Sequence, residues 1–187
     1  MLLSVGYYDL APPAGGNTSA LPNPWFGSPN TTFLGGSSEA TAGDPDEAAL
    51  LFTNTGPVAV TLDQGVTVKS GANSYTLWDS LIGAGGFSLL PGKSVILSGT
   101  TTNGFDGSDI GLLDSTVSFD LNGVAYSGVD VNSILHGNPI GSANETEPWT
   151  QIGDFLKSGS TGVPEPGGFG LLGLGLMSLA FGVRRRK

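Results

Sequence analysis

The chain has 187 residues, 31 of them Gly and 12 Pro, with 7 basic side chains against 16 acidic ones, one His and no Cys. That length suits one domain plus an appendage, and 39% hydrophobic with only 12% charged residues is too apolar for a disordered polyelectrolyte. Without Cys there is no disulfide framework, thiolate metal site or Cys nucleophile, and a single His excludes multi-His zinc sites.

The charges are unevenly placed. Arg184, Arg185, Arg186 and Lys187 are the last four residues, so only Lys69, Lys93 and Lys157 face sixteen acids over the first 183 positions, a net −13. An acidic body without a single Arg repels phosphate backbones, which argues against nucleic acid as a partner. The carboxylates themselves read as a solvated surface.

Residues 1–49 are rich in Pro, Gly, Ser, Thr and Asn, with one early strand expected around Val5 to Leu10. Met1–Asp9 has neither the basic nor the apolar region of a signal peptide, so the reading expects a signal already removed or a true start lying upstream. Trp25, Phe26, Phe33 and Leu34 are expected to pin this loop-rich stretch onto the domain by core packing, with ligand stacking by Trp25 as the alternative.

From Ala49 the chain changes to short β-rich runs separated by breakers: Leu50–Thr53, Val58–Leu62, Val66–Val68, Tyr75–Trp78, Phe87–Leu90 and Ser94–Leu97. Val117–Leu121 and Val124–Ser127 follow, joined by Asn122-Gly123, the pair that most favours a tight hairpin because both residues tolerate positive φ. This pattern predicts a mainly β protein, an antiparallel β-sandwich of immunoglobulin-like or jelly-roll-like kind. Its strands are expected between about 49 and 152, with Leu51, Val60, Leu77, Trp78, Leu89, Ile96, Phe119 and Tyr126 facing inward. Ser133–His136 could make one helical turn. The body is assigned residues 1–157, a flexible linker 158–162, and a terminal signal 163–187.

The candidate chemistry is thin. Asp44, Asp46 and Glu47, the pair Asp106 and Asp109, and Asp114 near them offer oxygens that calcium could use. None has the spacing of an EF-hand or a tandem nonapeptide repeat, and Phe105–Asp109 reads better as a turn capped by its Asp side chains. Sixteen acids always permit a glycosidase pair on paper, but no spacing selects one. His136 has no GxSxG elbow to serve, and Trp78 and Trp149 alternate with apolar neighbours as core residues do. No cofactor is expected, and no catalytic residue is assigned.

The tail is the informative part. After the spacer Ser158–Gly162 comes Val163-Pro164-Glu165-Pro166, whose two prolines force an extended segment that a processing enzyme could bind as a strand. Gly167 to Val183 follow without a charge, 17 residues at the lower limit for a short transmembrane helix, and Arg184 to Lys187 would hold that end in the cytoplasm. Gly168, Gly170 and Gly173 have GxGxxG spacing, yet no strand or βαβ unit surrounds them, so they read as glycines of the apolar span.

These three parts in this order resemble the PEP-CTERM sorting signal of Gram-negative bacteria. The resemblance implies that an exosortase, an integral-membrane transpeptidase-like enzyme, recognises the Pro-Glu-Pro segment and removes the apolar end. A plain membrane anchor is the rival. In the body, Asn54-Thr55-Gly56 and Leu90–Leu97 are similar to phrases of lamin-tail-like immunoglobulin sandwiches, a likeness that speaks for the fold class and carries no activity. The expectation is an exported, non-enzymatic protein of the cell envelope or extracellular matrix. It would pass through the inner membrane and meet extracellular polysaccharide. The alternative is a carbohydrate-binding or glycan-hydrolysing domain with the same tag.

Overall fold

The run Ala48–Phe52 sets the architecture, because five consecutive apolar residues in a strand must be covered on both faces. The computed structural model describes residues 1–9, 23–36, 46–100, 103–107, 111–137 and 147–156. Among them are eleven strands in two sheets. The first sheet runs β11 (Glu147–Asp154), β1 (Leu2–Asp9), β3 (Asp46–Thr53), β8 (Ser94–Leu97) and β2 (Thr31–Leu34). The second runs β6 (Asn73–Tyr75), β5 (Thr67–Ser70), β9 (Thr116–Leu121), β4 (Val60–Leu62) and β7 (Phe87–Leu89), with β10 (Val124–Val129) also paired to β9. The chain divides into Met1–Lys157 and Ser158–Lys187, and all described residues belong to the first unit.

Between the sheets, Leu3, Val5, Tyr7, Leu50, Phe52, Val95 and Leu97 of the first meet Val60, Leu62, Val68, Leu89, Val117, Phe119 and Leu121 of the second. Phe52 and Phe119 cross the interface edge to face, ring centroids 5.0 Å apart. The outer face of the first sheet carries a second cluster. Tyr8, Ala49, Leu51 and Ile96 are buried there beneath Trp25, with Phe33 and Trp149 against it.

The expected mainly β sandwich is therefore present, with corrections. It is not wholly antiparallel: β2 lies parallel to β8, Thr31 opposite Ser94, and residues 35–93 between them supply the long crossover that a parallel pair needs. Nor is it confined to residues after 49. The early strand begins at Leu2 and lies inside its sheet, between β3 and β11. The expected run Tyr75–Trp78 stops as a strand at Tyr75, and Trp78 instead caps the one-turn helix α1 (Asp79–Ile82).

Of the residues expected inward, Val60, Trp78, Leu89 and Phe119 are buried between the sheets, and Leu77 and Tyr126 are partly buried against them. Leu51 and Ile96 are buried on the opposite face. In a continuous apolar run the alternation that would reveal parity is missing, so only the register, Leu51 opposite Ile96, fixes which residue looks inward.

Two buried polar groups hold the sheets in place. Asn54, fully buried at the end of β3, donates from Nδ2 to the carbonyls of Val58 and Leu89, each at 2.8 Å, and accepts on Oδ1 from Gly56 N–H at 2.9 Å. Its main chain bonds Lys93 O and Gly92 N–H, so the Asn-Thr-Gly and Pro-Gly-Lys turns are locked together through one residue. Trp78 Nε1 donates to Ser98 O at 2.8 Å, which satisfies the indole inside the core.

The Asn-Gly hairpin forms as expected, with Leu121 opposite Val124 and φ of 52° at Asn122 and 76° at Gly123. Asn122 Oδ1 accepts from Thr61 N–H, and Gly123 N–H donates to Asp63 Oδ2, tying the turn to β4 and the loop after it. Gly107 serves a different purpose: a Cβ there would overlap the Leu135 carbonyl oxygen. Gly123→Val should destabilise the fold by about 2 kcal/mol through the left-handed backbone. Gly107→Ala should cost about 3 kcal/mol through overlap with main chain that cannot rotate away. Denaturant unfolding of the two variants checks both values.

Candidate functional site

The sorting residues Val163, Pro164, Glu165 and Pro166, the basic residues Arg184, Arg185, Arg186 and Lys187, and the apolar span between them all lie outside the described residues. Among the described residues no helix is long and apolar enough to cross a membrane. The cation candidates Asp44 and Asp109 are also outside.

The Asp46 side chain is outside as well, whereas Asp106, Glu47 and Asp114 have internal partners. Asp106 Oδ1 accepts the Tyr7 hydroxyl, from β1, at 2.8 Å. Glu47 is fully buried, its Oε2 accepts the Phe105 N–H, and its carboxylate fills the space beside Gly99. Asp114 sits at φ 46°, with its N–H donating to Ser133 Oγ at 3.0 Å. Among the described residues no three His, Asp or Glu side chains converge as a metal-binding group. His136 ends a 3₁₀ turn, Ile134–His136, at the position where one turn was expected. It is half-buried, and its Nδ1 has no hydrogen-bond partner among the described residues.

Sequence reasoning missed Asp130, the residue that organises this corner. It lies just after β10, 1% exposed, and its Oδ2 accepts Leu135 N–H at 2.8 Å, capping the 3₁₀ turn. Its Oδ1 is buried with no hydrogen-bond partner among the described residues. Burial pushes its pKa above the ordinary 3.8, the N–H groups of Leu135, Ile134 and Asn132 pull it back, and the Asp114 charge adds to the rise. No sequence signal distinguishes such an Asp from the fifteen other acids.

A raised carboxyl pKa means that the folded protein holds this proton more tightly than the unfolded chain. Stability from this group is then greatest in acid and declines as pH rises from the unfolded value through the folded one. Asp130→Asn keeps an oxygen for Leu135 N–H and removes the buried charge. The variant should therefore be at least as stable as the parent at neutral pH, with the difference shrinking as the medium approaches pH 3.8. Melting curves across that interval check it. A chelator should leave the melting temperature unchanged. A drop of several degrees would reveal a cation coupled to folding.

Where β2 and β7 end their respective sheets, the sandwich opens into a cleft of about 330 Å³. It is lined by Asn30, Thr31, Thr32 and Ser88 together with Phe87 and Lys93, and none of its described lining residues is acidic. Lys93 Nζ donates to Asn30 Oδ1, whose backbone at φ 62° turns the chain into β2. No local signal marks this cleft, because its walls come from separate segments, residues 30–32 and 87–93.

The fold thus supplies a β-sandwich body, and the chain beyond it carries the parts of a C-terminal sorting tag. Residues 162–187 match the family model described as the PEP-CTERM protein-sorting motif. The chain carries a PEP-CTERM signal, which marks an exported protein sorted through an exosortase. No curated protein and no solved structure matches the chain, so the likeness to lamin-tail-like domains rests on its turn-and-strand phrases alone.

Proposed function

We propose that this is a non-enzymatic protein of the cell envelope or extracellular matrix, whose β-sandwich is delivered outside the inner membrane and then released from its tail. The observation that carries the reading is the match of the sorting motif to the last 26 residues, 162–187. It is supported by a body, Met1–Lys157, that has its own two-sheet core. Gly167 to Val183 act as a transient membrane helix with Arg184–Lys187 on the cytoplasmic side, and the exosortase reads Pro164-Glu165-Pro166.

Support for a non-catalytic body comes from its acids. Glu47 and Asp106 bond to Phe105 N–H and the Tyr7 hydroxyl, and Asp130 caps a turn, which are structural uses of carboxylates. The rival reading, a glycan-hydrolysing domain, would need two carboxylates facing each other across an open cleft. The cleft between β2 and β7 has none among its described lining residues.

The test is intact mass and fractionation in a host that has an exosortase, on the chain provided with a working signal peptide. The parent protein should appear outside the membrane fraction without its apolar end. Glu165→Ala should accumulate as full-length precursor in the membrane fraction. Changing Arg184, Arg185 and Arg186 together to Ala should scramble orientation before processing. Mature protein that still contains Phe169 to Lys187 would make the segment an ordinary anchor and overturn the sorting step.

A further inference from the structure

We propose that the end of the sandwich at which β11 finishes docks on a lipid bilayer, with the tips of the turns 54–58 and 90–93 entering the headgroup region. This deepens the envelope reading by giving the body a face for its membrane-held stage, and it rests on that reading for the tail that holds it there.

The register places both turns at that end. Asp154 lies opposite Leu2, Leu2 opposite Thr53 and Thr53 opposite Ser94. One turn follows Thr53 and the other precedes Ser94, so both leave the first sheet where β11 ends and the chain continues to its tail. Asn54 Nδ2 reaches the carbonyls of Val58 and Leu89 at once, which sets Val58 and Leu90 close together. Val58 is 66% exposed and Leu90 53%, beside exposed Pro57 and Pro91, and Leu156 is exposed on the continuation of β11 itself. Apolar side chains gathered on an exposed tip are unfavourable in water and gain by entering a bilayer interface. The prolines and the buried Asn54 already fix both turns, so docking orders little additional chain.

Chain length and charge select the bilayer as the occupant. Ten residues, 157–166, separate Leu156 from the uncharged span 167–183. Fully extended, they reach at most about 35 Å. The other end of the first sheet lies a further strand length away, about 26 Å for the eight residues of β11. A short tether holds its two ends at an effective concentration on the order of millimolar, enough for a face too small to bind a membrane unaided. Of the acids on the strands of the first sheet, Asp9, Asp46, Glu47 and Glu147 lie at the far end by register, and only Asp154, half-buried, at this one. The near end therefore enters a zwitterionic interface without carrying a row of carboxylates into it. A second copy would instead set one body of three lysines and fifteen acids against another, with no tether to offset the repulsion.

The experiment uses the full-length chain reconstituted in phosphatidylcholine vesicles. Because the chain has no Cys, a single introduced Cys carries one fluorophore. With a quencher on the upper acyl chain of the lipid, labels at Val58→Cys and Leu90→Cys should lose about half of their emission or more, since a docked apolar face sinks about 5–10 Å into the interface. Labels at Leu113→Cys and Val131→Cys, comparably exposed but beside the far ends of β9 and β10, should keep theirs. Adding Leu90→Asp should release the Val58 label from quenching, whereas Val131→Asp should not. Melting temperatures verify that each variant is folded, and the labels on the parent background decide alone if Leu90→Asp is not.

A chain that floats with the vesicles while the Val58 and Leu90 labels stay unquenched would overturn the proposal and leave the role of the tail standing. Equal quenching of all four labels would overturn it too, because no face is then preferred. So would a response that follows protein concentration rather than lipid, which assigns the face to a second copy. A chain that does not float with vesicles removes the membrane span, and the proposal falls with the reading beneath it.

Discussion

Burial of β3 on both faces is the constraint on which the rest of the body depends. From Glu47 to Phe52 every side chain in this strand is buried, Leu50 and Phe52 against the second sheet and Ala49 and Leu51 beneath the aromatic cover. A two-sheet sandwich covers only one face of each sheet, so the other face of β3 needs its own lid. Trp25 provides it: its ring lies 4.9 Å from Tyr8 and 5.3 Å from Phe33 between centroids. Trp149 closes the group and donates its indole N–H to Pro24 O at 3.0 Å. Three separate parts of the chain, around residues 25, 33 and 149, are positioned by the demands of one strand.

What the sequence discloses follows from how local each signal is. The β9–β10 hairpin was legible in its turn and in most of both strands, though β10 runs on from Ser127 to Val129, because Asn-Gly fixes the turn and Val117, Phe119 and Leu121 alternate cleanly inward. β2 and β11 were not legible. Thr31–Leu34 is four residues long and pairs in parallel with a strand sixty residues away, and Glu147–Asp154 contains a Pro, which demotes a run read by propensity alone. Leu51 and Ile96 showed that they are buried but not on which side. For the site the same rule holds: the terminal tag is a linear motif and could be read directly, whereas the cleft and the Asp130 corner exist only once distant segments meet.

The acids of the body divide into two populations with different roles. Among the described ones Asp114 is exposed, and Asp63, Asp79, Asp120 and Asp154 are half-buried. A few are interior fasteners. Glu47 holds the Phe105 loop against β3, Asp106 receives Tyr7 from β1, and Asp130 organises the turn that packs against Gly107. These three carboxylates sit around one end of the first sheet, where the loop 103–107 and the 3₁₀ turn meet β1 and β3. Composition alone cannot separate the populations, since a fastening Asp and a solvated one are the same letter.

The pairing of β1 with β11 has a consequence for the order of events. Leu2 lies opposite Asp154 and Tyr7 opposite Glu147, so the first and last strands of the body are neighbours. Such contacts have the greatest sequence separation the body allows, and their loop-closure entropy must be met before they contribute. A chain emerging from its N-terminus could form the β9–β10 hairpin early, but the first sheet would stay open until residue 154 had followed. The body is therefore a late closer, with one flank of β1 exposed until nearly all of it has emerged. For a protein carrying an export tag, that delay is kinetic time in which the polypeptide remains threadable, and the last strand to lock is the one immediately preceding the sorting tail.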